Sequence, residues 1–219
     1  MINSFSIQPD YQNSREGIAI IQHCLNNHKT ATFRILNNPI HGTIPIGSIN
    51  YCEHLLPKYE TQLVNFYPQF LNQYLHRNIK ITKYPPEIGY NQHIKQATSW
   101  KPTENPQYYY ISDYIPIIDE WRYYIAKSQL IEAHWYTGQN EEAPAPKIDI
   151  NWPQNFSGAV DFGTTDQGIM LIEAHPPYAC GWYGDKLESY AQWQIPAWYS
   201  FLENHSKWRY NQNNQNNKW

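Results

Sequence analysis

Gly158–Gly184, GAVDFGTTDQGIMLIEAHPPYACGWYG, is the stretch whose reading decides the fold. Two short apolar runs, Gly158–Phe162 and Ile169–Ala174, flank Gly163-Thr164-Thr165-Asp166-Gln167-Gly168, a string of turn residues. The pattern predicts a β-hairpin with a longer loop. Asp161 and Glu173 then sit on neighbouring strands, and pairing about the middle of the loop brings them close across the ladder. Two adjacent carboxylates repel unless a cation or a proton lies between them. Oxygen ligands of this kind suit Mg²⁺ or Mn²⁺ carrying a nucleotide's phosphates. The plain alternative is a pair of structural carboxylates at a hairpin end. His175 is a third candidate ligand, because a neutral imidazole binds metals. Its alternative role is a hydrogen-bonding neighbour, with Pro176-Pro177 fixing the strand's exit. Gly181 and Gly184 either admit a ligand close to the backbone or form a tight turn before the last helix.

Upstream, Glu120–Ala126 and Leu130–Tyr136, linked by Lys127-Ser128-Gln129, predict a second hairpin. Arg122 stands between Trp121 and Tyr123 in an apolar strand, where a guanidinium needs an anion. A phosphate or substrate carboxylate is one partner, and a surface pair with Glu120 or Asp119 is the other. Glu132, His134 and Tyr136 alternate onto one face, toward solvent or toward a cleft. Tyr108–Ile115 predicts a further strand, and the proline-punctuated Tyr84–Gln107, which holds Lys95, predicts irregular structure. Gly138–Pro153 reads as a loop. Asp185–Asn204 predicts a helix with Leu187, Tyr190, Ala191, Trp198 and Leu202 toward the core and a break at Pro196.

These motifs carry a resemblance. DFG…LIEAHPPYACGWYG is similar to the metal-binding end of the ATP-grasp proteins, in particular the compact ones of phages and bacteria. IDEWRYYIAKSQLIEAHWYTG (Ile118–Gly138) resembles the Glu-Trp-Arg strand and the strand after it in that subgroup. The resemblance covers Tyr108–Gly184, with a weaker echo at Pro45–Glu53 (PIGSINYCE). It implies ATP and Mg²⁺ (or Mn²⁺) as cofactors and Asp161, Glu173 and His175 as the metal position. It implies that Lys101, in Trp100-Lys101-Pro102, reaches an ATP phosphate, and that Ser112, Asp113, Tyr114 and Ile115 form the adenine hinge. Lys101 and Arg122 would offset charge in phosphoryl transfer. The implied activity is an ATP-dependent carboxylate–amine ligase working through an acyl phosphate, on small-molecule or peptide carboxylate and amine substrates. The alternative is a nucleotide-binding protein without turnover on a reduced ATP-grasp fold. Two departures stand out: His175 replaces the subgroup's Asn, and Lys101 is followed too soon by Tyr108 for the usual Gly-rich loop and second lysine.

The N-terminal part predicts an α/β unit: a strand at Phe5–Gln8, a helix from Ser14 to about His28, and strands at Thr30–Leu36 and Ile46–Tyr51. The helix would face the core with Ile18, Ile21, Cys24 and Leu25. A kinked helix over Tyr59–Leu75 and a strand at Asn78–Thr82 follow. The expected fold class is therefore α/β (α+β), with a small α/β domain over 1–83 and a mostly antiparallel ATP-grasp-like domain over 84–210. An Asn/Gln-rich tail over 211–219 cannot bury apolar area and is expected to be disordered.

Composition narrows the function further. A formal charge of −3 leaves no electrostatic footprint for nucleic acid. Three cysteines without a Cys-x-x-Cys pair argue against a zinc knuckle or a disulfide framework, and for reduced thiols in a cytoplasmic protein. The start lacks a signal-peptide pattern, and no apolar run is long enough to span a membrane. Asp161-Phe162-Gly163 is not a kinase signature here, because no Gly-x-Gly-x-x-Gly or His-Arg-Asp string precedes it. A P-loop is absent as well. Neither the acid, the amine nor the oligomeric state is specified by these residues.

Overall fold

The computed structural model describes residues 2–56, 65–82, 92–96 and 108–204. Lys101 and the 211–219 tail, named above, lie outside them.

A three-stranded parallel sheet, in the order β2-β1-β3, is built from β1 (Asn3–Ile7), β2 (Ala31–Ile35) and β3 (Ile44–Ile46). Helix α1 (Arg15–Asn26) starts where the sequence predicts, with the Ser14 side chain accepting from the Gly17 N–H at 3.1 Å. Its buried face differs from the expected one. Gly17, Ile20 and Cys24 turn inward, while Ile18 and Leu25 are exposed. The two stripes are neighbours on the helix, and small residues decide between them. Gly17 packs so closely on the Tyr11 carbonyl that a Cβ there would lie 1.9 Å from its oxygen.

The strand expected over Ile46–Tyr51 is instead the end of β3 and a short helix, α2 (Ile49–Glu53). Ser48 caps it by accepting from the Tyr51 N–H. Within Tyr59–Leu75, the described part holds only a 3₁₀ turn, Gln69–Tyr74, which Pro68 opens from extended backbone. An α-helix arriving from upstream would have needed the N–H that Pro68 lacks.

Two antiparallel sheets follow. The first, in the order β4-β6-β5, contains β4 (Ile79–Thr82), β5 (Gln92–Gln96) and β6 (Tyr109–Asp113). Strand β5 lies in the stretch expected to be irregular. Pairing with β6 imposes extended structure on a sequence with little strand pattern of its own. The second sheet, in the order β10-β9-β7-β8, contains β7 (Asp119–Ala126), β8 (Gln129–Gly138), β9 (Gly158–Thr165) and β10 (Gly168–His175). Its strands run past the predicted ends, and the expected six-residue loop shrinks to Asp166-Gln167 between Thr165 and Gly168.

Helix α3 (Leu187–Asn204) packs against α1 and β7. It runs unbroken through Pro196, contrary to the expected break. Trp193, Ala197, Trp198 and Phe201 are buried on it, and that burial outweighs the lost backbone hydrogen bond, while Leu202 turns outward. The architecture is thus mixed α/β, a parallel sheet followed by two mostly antiparallel ones with helices. Among the described residues, no helix is long and apolar enough to cross a membrane.

Candidate metal and nucleotide site

Cross-strand partners share a sheet face. One row of partners runs across the whole four-stranded sheet: His134 on β8, Arg122 on β7, Asp161 on β9 and Glu173 on β10. His175 lies two pairs further along, opposite Ala159 and on the same face. Glu173 joins this row only because of a bulge. The register from Gly168 to Leu171 would place Ile172 opposite Asp161, and the shift after Leu171 brings Glu173 there instead. Without that extra residue the Glu173 carboxylate would face the other way.

Asp161 is fully buried and Arg122 nearly so. The guanidinium grips the carboxylate with two bonds: Nε donates to Oδ1 at 2.7 Å and Nη2 to Oδ2 at 2.7 Å. The partner of Arg122 is therefore neither a surface Glu120 nor Asp119. Asp119 instead accepts from the Gln139 and Asn140 N–H groups and from the Trp135 indole, tying off the end of β8. Burial alone would raise the Asp161 pKa, but Arg122 and His175 outweigh it and hold it down to about 2. Asp161 is an anion at any physiological pH.

Glu173 faces two nitrogens. Its Oε1 lies 2.7 Å from His175 Nε2, and its Oε2 pairs with Lys95 Nζ, which β5 contributes from the neighbouring sheet. His175 Nε2 also lies 3.5 Å from Asp161 Oδ2, yet it makes no well-directed hydrogen bond to either carboxylate. Burial lowers the His175 pKa, with Asp161 opposing, so the ring is neutral near pH 7. One ligand atom from each of Asp161, Glu173 and His175 falls within 4.8 Å of the other two. Two carboxylates and a neutral imidazole are a sound donor set for a divalent cation, the imidazole favouring Mn²⁺ over Mg²⁺. A carboxylate has about four lone-pair sites, so Asp161 keeps capacity beyond Arg122.

Lys95 and Glu120 complete the cluster. Burial pushes the Lys95 ammonium down to about 8, and its Nζ also sits 4.3 Å over the Phe66 ring. Burial, followed by the Asp161 charge, raises Glu120 to about 7. Glu120 stands two residues from Arg122 in one strand, so the spacing already placed both on one face. Lys95 carried no comparable signal, because only its pairing through β6 brings it near β10.

The aromatic wall comes from β8 and Tyr178–Gly184. Arg122 Cζ lies 5.0 Å from the Tyr136 ring centre and 5.3 Å from that of Tyr183, and the two rings are 4.6 Å apart. Glu132, His134 and Tyr136 therefore face the protein, and Glu132 pairs with His134 at 2.7 Å. Tyr178–Gly184 is pinned at several points. Tyr124 donates to the Gly181 carbonyl at 2.7 Å, Glu16 accepts from the Trp182 N–H at 2.6 Å, and Arg15 donates to the Gly184 carbonyl. Gly181, at φ +69°, turns the backbone, and a Cβ on Gly184 would collide with the Trp182 ring.

Of the hinge residues, Ser112 is buried inside β6 between Ile79 and His93. Asp113 ends β6, and Tyr114 and Ile115 lie in the link to β7, with Asp113 and Tyr114 exposed.

A family model described as an ATP-grasp domain, the second family of its clade, matches residues 83–193, just over half of the chain. The chain belongs to this ATP-grasp family, whose activity at the level of the superfamily is ATP-dependent ligation. Among solved structures, it is similar to the crystal structure of a RimK domain protein ATP-grasp from Sphaerobacter thermophilus DSM 20745. The TM-score is 0.46 at 10% identity, over 91% of this chain and 99% of that one. None of the curated proteins matches the chain.

Proposed function

We propose that the cluster around Asp161 binds a nucleotide triphosphate with a divalent cation, and that the protein joins a carboxylate to an amine. The observation that carries this reading is the convergence of Asp161, Glu173 and His175, flanked by Lys95 and Arg122. When bound, Mg²⁺ or Mn²⁺ would neutralise phosphate charge and fix the phosphoryl group in line. The residues supply the remainder. Asp161, held ionised by Arg122, gives a fixed negative anchor. Lys95 pairs with Glu173 in the free protein and is the cation able to turn to a phosphate oxygen once Glu173 takes up a ligand role. Tyr136 and Tyr183 shield Arg122 from water, which strengthens its field. Asp113–Ile115 offer backbone groups to an adenine edge.

In the reaction, a substrate carboxylate oxygen attacks the γ-phosphorus and ADP leaves, giving an acyl phosphate. A neutral amine then attacks the acyl carbon, the acyl C–O bond breaks, and inorganic phosphate leaves carrying the proton the amine gives up, giving the amide. No protein nucleophile is needed, and positioning with electrostatic stabilisation is the whole of the task. The second reading, nucleotide binding without turnover, draws on the short Lys101–Tyr108 interval in the sequence.

Glu173→Gln tests the metal assignment. We expect it to weaken Mg²⁺-ATP binding at least ~10-fold, the cost of roughly one charged ligand contact, and to leave metal-free ATP binding nearly unchanged. Calorimetry showing equal losses with and without Mg²⁺ would remove Glu173 from the metal position. ADP release across a panel of acids and amines then separates ligation from simple binding.

A further inference from the structure

A separate cavity lies among the N-terminal turns, the Tyr178–Gly184 segment and α3. Its volume is about 110 Å³, and Tyr11, Glu16, Gly47, Cys180, Tyr190 and Gln194 contribute to its lining. That space suits a molecule of a few heavy atoms and is too small for a nucleotide. Two of its polar groups are unusual. Gln194 is fully buried, and among the described residues neither its Nε2 nor its Oε1 has a hydrogen-bond partner. Leaving both ends of an amide unpaired in the interior is costly. Glu16 accepts from the Trp182 N–H through Oε1, and no cation pairs with it among the described residues. Burial raises the pKa of both Tyr11 and Tyr190, so neither adds a second negative charge to the cavity.

The complementary ligand follows from these groups. A carboxylate without a cation calls for an ammonium. An amide with donor and acceptor both free calls for another amide, which satisfies it edge to edge: the ligand C=O accepts from Nε2 and the ligand N–H donates to Oε1. We propose that this cavity binds a small α-amino amide, its ammonium on Glu16 and its amide against Gln194. This binding site rests on the cavity alone and is independent of the ligase reading above.

The test is calorimetric titration of the full chain with glycinamide, with acetamide and ethylamine as probes that each lack one of the two groups. Mg²⁺-ATP is titrated separately. Glycinamide is expected to bind at least ~10-fold more tightly than either control. Glu16→Gln keeps an oxygen for the Trp182 N–H and loses only the charge, and it should weaken glycinamide by a similar factor. Gln194→Leu should abolish the preference for glycinamide over ethylamine and raise Tm, because no amide is left unpaired. Both variants should bind Mg²⁺-ATP as the unaltered protein does, which also shows that they fold. Mg²⁺-ATP binding with no preference for glycinamide, or with a preference that survives both substitutions, overturns this site and leaves the ligase reading standing. Glycinamide binding without any Mg²⁺-ATP binding does the reverse.

Discussion

Asp161 is fully buried and ionised, accepts two hydrogen bonds from Arg122 and lies 3.5 Å from His175. A charge so placed persists only because its partner is fixed, since an unpaired buried ion costs several kcal/mol. His175 is the residue where the chain departs from the Asn that its subgroup resemblance implies, and its chemistry is testable by pH. An imidazole must be neutral to ligate. Burial lowers the His175 pKa below its ordinary 6.5, so the metal-binding form is full at neutral pH and is lost only as pH falls through that lowered value. Mg²⁺-ATP or Mn²⁺-ATP affinity should therefore decline on the acid side, below about pH 6.5. His175→Asn should retain binding and flatten the decline, because an amide oxygen does not titrate there. Superimposable affinity profiles for the two proteins would remove His175 from the ligand set.

At the scale of elements, β7 and β8 are held in register at both ends. Lys127 and Ser128 close the tight end with positive φ, the backbone that favours a two-residue hairpin. Gly138 closes the other end at φ +135°, packed against Asp119. A Cβ there would lie 2.4 Å from Asp119 Oδ1 and 2.6 Å from the Ile118 carbonyl oxygen. Gly138→Ala must strain the backbone and displace Asp119, which accepts the bonds that turn the chain out of β8. We expect a loss of about 2–4 kcal/mol in urea unfolding. Gly168, also at positive φ but with nothing near its missing Cβ, serves as the comparison. Gly168→Ala should cost only the backbone strain, about 1 kcal/mol. Equal losses at the two positions would show that contact with Asp119 is unimportant.

At the scale of the molecule, the Arg122–Asp161 pair ties two central strands of the four-stranded sheet, and its titration should be visible in global stability. The Asp161 pKa is lowered from 3.8 to about 2 on folding. A depressed carboxylate contributes stability that is fully present above the unfolded value and is lost as pH falls through the folded one. Unfolding free energy should therefore drop by roughly 2 kcal/mol between pH 4 and pH 2 from this group. The paired change Arg122→Met with Asp161→Asn leaves no buried charge unpartnered and should make that acid limb shallower by the same amount. Urea titrations at several pH values measure it, and an unchanged slope would mean that other carboxylates set the acid limit.

The hairpin Gly158–His175, the second hairpin from β7 to β8, the Ser14 cap and the ATP-grasp resemblance were all legible in the residues. Each rests on local chemistry: alternation, turn residues, or a side chain bonding a backbone N–H three positions on. The candidate metal carboxylates were legible for the same reason, because one hairpin carries both. Arg122 as the partner of Asp161 was not, since 39 residues separate them and only the β7–β9 register joins them. Lys95 was hidden too, on a strand that its own sequence does not announce, and so was the bulge at Ile172 that turns Glu173 to the shared face. The cavity beside Gln194 draws on both ends of the chain. Local pattern specifies which segments become strands and helices, whereas register, bulge and burial are set by what packs across them, and those decide which charges meet.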